Sequence, residues 1–275
     1  MAQVTVALVQ TDPGTDKAAN VEQALALIEQ AAAGGADWVA LPETFHQRAP
    51  SGRKLAGAEP VPGPLSTVLA EAAERHGIWL FAGSFSERSD DPERTWNTSL
   101  VFDPEGTQVA SYRKIHLFDV RVDGQVKAQE SARILAGDVI VTCDTPIGPV
   151  GLSICYDLRF PELYRVMAQR GAVASMVPSN FTVPTGRDHW EPLLRARAIE
   201  NGQYVIAAAT IGGGAERGFV AYGRSLVVDP WGTVVACAPD EVGLTFARID
   251  PARVARVRRQ IPSLEHRRPD VYDSA

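Results

Sequence analysis

The chain divides into short apolar runs separated by amphipathic stretches. Val4 to Val9 is an apolar, β-prone run closed by the turn cluster Gln10-Thr11-Asp12-Pro13-Gly14, which predicts a buried strand. From about Asn20, a suitable N-cap, Val21, Ala24, Leu25, Ile28 and Ala32 recur at helical spacing until Gly34-Gly35. Trp38 to Leu41 predicts a second strand with Pro42-Glu43 at its C-terminal end. Strands joined in this way pair in parallel. The rhythm continues with a helix over Leu65 to Arg75 and a strand over Ile78 to Ala82. A hairpin then pairs Thr98 to Phe102 with Gln108 to Arg113 across Asp103-Pro104-Glu105-Gly106, and Lys114 stands just beyond its second arm.

The second half repeats the pattern. Val150 to Ile154 reads as a buried strand, Cys155 follows its end, and Pro161-Glu162 opens a helix that Gly171 closes. A strand over Ala172 to Val177, a helix over about His189 to Asn201 and a strand over Tyr204 to Thr210 come next. A second hairpin joins Leu226 to Val228 with Val234 to Ala236 through Asp229-Pro230-Trp231-Gly232. The segments 102–110 and 228–236 are visibly alike. We therefore expect an α/β fold of two similar halves, each a sheet with helices on one face, packed sheet against sheet. That is a four-layer α-β-β-α sandwich in a single domain over residues 1–275. Asp250-Pro251 opens a C-terminal helix carrying Arg253, Arg256, Arg258 and Arg259, and Arg267 and Arg268 follow in an irregular tail.

Composition changes this picture only by exclusion. With 45% hydrophobic and 22% charged residues the chain is an ordinary globular one, and its net charge of −6 argues against nucleic acid as a partner. The arginine-rich end reads as a solvated helix face or a subunit contact. No apolar run approaches a membrane span, and Met1-Ala2-Gln3-Val4 moves directly into a strand pattern, so neither membrane nor secretion is expected. Three widely spaced cysteines, Cys143, Cys155 and Cys237, form no disulfide framework and fit a reducing, cytoplasmic setting.

Three strand-end groups carry the candidate chemistry: Glu43, Lys114 and Cys155. In open α/β sheets that edge is where ligands bind. A free thiol is mostly protonated near neutrality; a neighbouring carboxylate can take its proton, and a fixed cation can stabilise an oxyanion. The backbone N–H of Tyr156, after the sulfur, would be a second oxyanion donor. Together these groups form an acyl-transfer site that requires neither a metal nor another cofactor. Other constellations fail. Gly212-Gly213-Gly214 with Gly218 misses dinucleotide spacing, Gly151-Leu-Ser153-Ile-Cys155 is not a serine elbow, and the five histidines lack metal-ligand spacing. Cys143 and Cys237 read as plain residues, and His189 as a brace of the pocket wall.

Longer ordered segments resemble the nitrilase, or carbon-nitrogen hydrolase, superfamily, and within it the Nit branch. They are Leu41-Pro-Glu43, Tyr112-Arg-Lys114-Ile-His116-Leu-Phe-Asp119, Cys155-Tyr-Asp-Leu-Arg159-Phe-Pro-Glu162 and Pro178-Ser-Asn-Phe-Thr182. Leu194-Arg-Ala-Arg197-Ala-Ile-Glu200, Asp229-Pro-Trp-Gly232 and His266-Arg-Arg-Pro-Asp270 extend the likeness over nearly the whole chain. The resemblance implies Cys155 as nucleophile, Glu43 as general base, Lys114 as oxyanion partner and Glu130 as a second acid near Lys114. Arg121-Val122-Asp123-Gly124 departs from the branch, which puts the local loop shape in question. Phe181, Thr182 and Thr185 resemble a pocket-lining segment, and either Arg159 or Arg187 could grip a carboxylate. The implied substrate is a small linear amide bearing a carboxylate, first deaminated glutathione, alternatively an ω-amide such as 2-oxoglutaramate, a nitrile or an N-carbamoyl compound. A homodimer with the C-terminal helix and tail at the interface is implied as well, and a catalytically silent interaction module stands as the non-enzymatic alternative.

Overall fold

The computed structural model describes residues 3–49, 55–122, 126–214 and 219–272; Asp123, Gly124 and Gly218, singled out above, lie outside them. Strand β1 (Val4–Gln10) is followed by helix α1 (Lys17–Ala33), β2 (Trp38–Ala40), α2 (Pro64–His76), β3 (Trp79–Phe81), β4 (Phe85–Arg88), β5 (Thr95–Phe102) and β6 (Gln108–Arg113). A two-stranded hairpin, β7 (Asp119–Val122) with β8 (Val126–Gln129), leads through a 3-10 turn at Glu130–Ala132 to β9 (Ile134–Leu135). The second half runs β10 (Thr142–Cys143), β11 (Val150–Leu152), α3 (Pro161–Gln169), β12 (Ala174–Met176), α4 (Val183–Asn201) and β13 (Tyr204–Ala207). It ends with β14 (Ile211–Gly213), β15 (Val220–Tyr222), β16 (Leu226–Val228), β17 (Val234–Cys237), β18 (Gly243–Ile249), α5 (Pro251–Gln260) and α6 (Pro269–Tyr272).

One sheet has the order β18-β1-β2-β3-β5-β4, with β6 and β9 also on β5; the other has β10-β11-β12-β13-β16-β17. Pairing β1-β2-β3 and β11-β12-β13 is parallel, as the interleaved helices require. Period-2 alternation then sorts the side chains. Val6 and Leu8 of β1 join Trp38, Val101, Leu152 and Met176 in a core between the sheets. Ala7 and Val9 face the other way, onto Ala24, Ile28, Leu69 and Ala73 of α1 and α2. Leu163 and Met167 of α3 with Trp190 and Leu194 of α4 cover the second sheet, giving the four-layer sandwich.

Several boundaries differ from expectation. Asp16, not Asn20, caps α1 by accepting from the Ala19 N–H at 3.2 Å, and Asn20 sits one turn in, tying Gly14 to the His46 carbonyl. Helix α4 begins at Val183, six residues before His189, because Pro184 can open a helix there. Gly186 lies inside that first turn: a Cβ there would stand 2.4 Å from the Tyr222 side chain, so close packing rather than a loop explains the glycine. The two halves are not independent either. Strand β18, late in the chain, pairs antiparallel along the whole length of β1.

Candidate active site

The parallel strands deliver their C-terminal ends to one place, and there the three expected groups meet. Lys114 Nζ lies 3.2 Å from Glu43 Oε1, and 2.9 and 3.1 Å from the two Glu130 oxygens. Glu43, Lys114 and Cys155 are 4%, 2% and 8% exposed, so water screens these charges little. Burial alone would lower the Lys114 ammonium, but the Glu130 and Glu43 charges outweigh it and hold the group well above the ordinary lysine range. Burial likewise pushes the Cys155 thiol well up. The Glu43 charge adds to this, while the Lys114 charge and the Asn180 N–H oppose it. The resting sulfur is therefore a thiol with a carboxylate beside it to receive its proton.

Backbone geometry aims these groups. Cys155 opens a 3-10 turn, Cys155–Arg159, directly after β11 and has φ = 50°, a left-handed conformation that a non-glycine residue adopts at a cost. Its N–H donates to the Pro178 carbonyl at 3.0 Å, and the following N–H, of Tyr156, lies in the first turn, where no intrahelical acceptor exists. Thr44, after Glu43, is left-handed too (φ = 53°), and Glu43 bridges to Ser84, just before β4. Lys114 is pinned through its main chain: its N–H donates to the Asn97 carbonyl at 2.9 Å and its carbonyl accepts from Gly137 at 2.8 Å.

Glu130 is where the resemblance implied, and its Oε2 also accepts the Phe118 N–H at 2.6 Å. Tyr156 packs against Phe118 and Phe160, and Arg159 lies over the rings of Tyr156 and Phe181 at 5.7 and 5.5 Å. Arg159 makes no ion pair among the described residues; its side-chain partner is His189 Nδ1 at 3.3 Å. His189 is exposed and meets that guanidinium rather than lining a wall. Phe181 packs on Trp190, and the buried hydroxyls of Thr182 and Thr185 bond each other at 2.9 Å where α4 starts. Arg187 lies in the first turns of α4, is 71% exposed and pairs with its neighbour Asp188.

Sequence reasoning missed the groups that brace the site. Asp157, fully buried, accepts from the Ile154 N–H (2.8 Å), the Tyr112 hydroxyl (2.7 Å) and the His116 N–H (3.0 Å), and meets His116 Nδ1 at 2.7 Å. The His116 ring stacks on Phe160 with centroids 3.6 Å apart. Asn97 donates to Glu43 Oε1 at 2.9 Å, and Thr210 to Asn180 Oδ1 at 2.6 Å. One signal was available: Thr95, Asn97 and Ser99 share a face of β5 with core residue Val101, a run of polar residues where apolar ones belong.

A thiol, a carboxylate that can hold its proton and a buried ammonium can open an acyl C–N bond through a thioester. The family model for carbon-nitrogen hydrolases matches residues 5–259. The chain belongs to the carbon-nitrogen hydrolase family. It is thus an enzyme acting on C–N bonds, and its relatives put it in the Nit branch. It is 42% identical to the omega-amidase NIT2 of Homo sapiens over 99% of this chain and 98% of that one. To the deaminated glutathione amidase of Rattus norvegicus it is 44% identical over 98% of this chain and 84% of that one. Among solved structures, it superposes with a TM-score of 0.82 at 26% identity on a mutant of the amidase from Nesterenkonia sp. AN1, covering 98% of this chain and 96% of that one. That structure shows the acetamide moiety of fluoroacetamide added covalently at the active site cysteine.

Proposed function

We propose that the protein is a thiol-dependent amidase that cleaves small, carboxylate-bearing linear amides through a thioester. The observation carrying this reading is the convergence of Glu43, Lys114 and Cys155 in one buried site. Glu43 takes the Cys155 proton as sulfur attacks the carbonyl. Lys114 Nζ and the Tyr156 N–H stabilise the oxyanion. The intermediate collapses as Glu43 returns the proton to the leaving amine; water, deprotonated by Glu43, then attacks the thioester, the C–S bond breaks to release the acid, and Glu43 passes the proton back to the Cys155 sulfur. Glu130 keeps the ammonium charged and aimed, and Arg159, half-buried over two aromatic rings, grips the substrate carboxylate.

Deaminated glutathione is the proposed substrate. The second reading, 2-oxoglutaramate, is favoured by the fuller coverage of the omega-amidase relative. Both amides leave the same 2-oxoglutaryl group on sulfur and differ only in the leaving amine. We also propose a single domain over residues 1–275, a cytoplasmic setting, and a homodimer whose contact includes α5 and the tail, where Ile261, Val271 and Tyr272 are exposed. The deciding experiment compares kcat/KM for deaminated glutathione, 2-oxoglutaramate, a simple nitrile and an N-carbamoyl amino acid, with trapping of the acyl-enzyme. We expect both amides to acylate Cys155 and deaminated glutathione to turn over faster. Turnover confined to the nitrile or carbamoyl compound, or none at all, overturns the proposal.

A further inference from the structure

The hydrogen bonds at Glu43 are unevenly divided. Asn97 Nδ2 and Lys114 Nζ both reach Oε1, at 2.9 and 3.2 Å. Two donors fill the two lone pairs of one carboxylate oxygen, leaving Oε2 as the oxygen that can accept a proton. Asn97 also fixes the other partner, because its main-chain carbonyl accepts the Lys114 N–H at 2.9 Å. Yet Asn97 is a poor choice for stability. It is 5% exposed, faces the apolar layer between the sheets, and no protein group among the described residues donates to its Oδ1. A buried, unmatched acceptor costs roughly 1–3 kcal/mol, so the position keeps a donor at the expense of the fold.

We propose that Asn97 is a positioning residue: by occupying Glu43 Oε1 it directs proton transfer between Cys155 Sγ and Glu43 Oε2. The inference rests on Glu43 being the base of the proposed amidase. In the step concerned, the S–H bond breaks as sulfur attacks the amide carbon, the proton bonds to Oε2, and it later passes to the departing nitrogen. The charged and titratable groups facing Glu43 are Lys114 at the end of β6, Cys155 in the turn after β11 and, through Lys114, Glu130. Removing the Asn97 donor leaves the carboxylate free to swing, so that either oxygen can face the sulfur.

The test uses Asn97→Leu, close in shape and without polar atoms, beside Asn97→Asp, which keeps the shape and loses the donor. For Asn97→Leu we expect a melting temperature equal to or above that of the unchanged protein. We also expect kcat to fall by about 10²-fold with KM little changed. Asn97→Asp offers Glu43 no donor either and should show the same split between kcat and KM. An Asn97→Leu variant with undiminished kcat, or one whose KM rises in step with the fall in kcat, overturns the inference. Failure of the unchanged protein to cleave any amide of the panel removes instead the amidase reading on which it stands.

Discussion

At Cys155 the sequence makes two concessions that a purely structural residue would not need: a left-handed backbone and a thiol beside a carboxylate. Strain of that kind costs about 1–3 kcal/mol and persists where surroundings over-determine it. Here they are the Pro178 carbonyl on the Cys155 N–H and the Asp157 carboxylate on the Ile154 N–H. Because alanine tolerates the same pocket with only a small cavity, we expect Cys155→Ala to unfold at nearly the same temperature while amide turnover vanishes. Turnover above background in that variant removes the nucleophile assignment. For Lys114→Ala, loss of an oxyanion donor predicts a kcat drop of about 10²–10³-fold. It also leaves Glu43 buried and Glu130 half-buried without their shared cation, so melting must be recorded alongside rates. Glu43→Gln separates the two roles, since it keeps an oxygen toward Lys114 and loses the base. We expect about 10²–10⁴-fold lower kcat from it, and full activity would contradict the base assignment.

At the scale of elements, the site depends on clamps between segments far apart in the chain. Gly137 approaches the end of β6, just before Lys114, so closely that a Cβ would sit 2.2 Å from the Arg113 carbonyl oxygen. We expect Gly137→Ala to displace the Lys114 main chain and to lower kcat more than KM, a split that steady-state kinetics on one amide will show. Asp157 is the second clamp: it joins Tyr112 and His116, either side of Lys114, to the turn bearing Cys155. The strand-turn-helix around Cys155 was legible because apolar runs, a following Pro161 and the ordered motifs mark element ends. The clamps were not, because a buried aspartate and a strand asparagine announce themselves only through partners 41 to 54 residues away. The early start of α4 was hidden for a similar reason. Gly186, a poor helix former, does not announce a helix interior until Tyr222 is seen against it.

Across the whole molecule, alternation in each strand was enough to foresee two sheets sharing one core, whereas the pairing of β18 with β1 was hidden. Its run Gly243–Ile249 buries only Ala247 and Ile249 fully and exposes Phe246 and Arg248, too weak a pattern to announce a strand. The shared core has a consequence for pH. Besides Cys155, it encloses Cys143, Tyr112 and Tyr164, and burial raises all of them, Cys143 to about 11 and Tyr112 well above the ordinary phenol range. In the unfolded chain cysteines lose their protons near about 8.5 and tyrosines near about 10. Between those values and the folded ones the unfolded chain binds fewer protons than the folded one, so stability falls as pH rises. Below about pH 8.5 the contribution is fully present. We therefore expect the melting temperature to be flat from pH 7 to about 8.5, to decline beyond it, and to decline more steeply above about pH 10 as the tyrosines join. Cys143→Val, which fills the same space without a titrating group, should make the decline shallower from about pH 8.5 up to about 11, where the folded thiol titrates. A melting curve that stays level to pH 11, or a Cys143→Val variant with the same slope as the unchanged protein, would mean that these groups ionise as readily inside the fold as outside it.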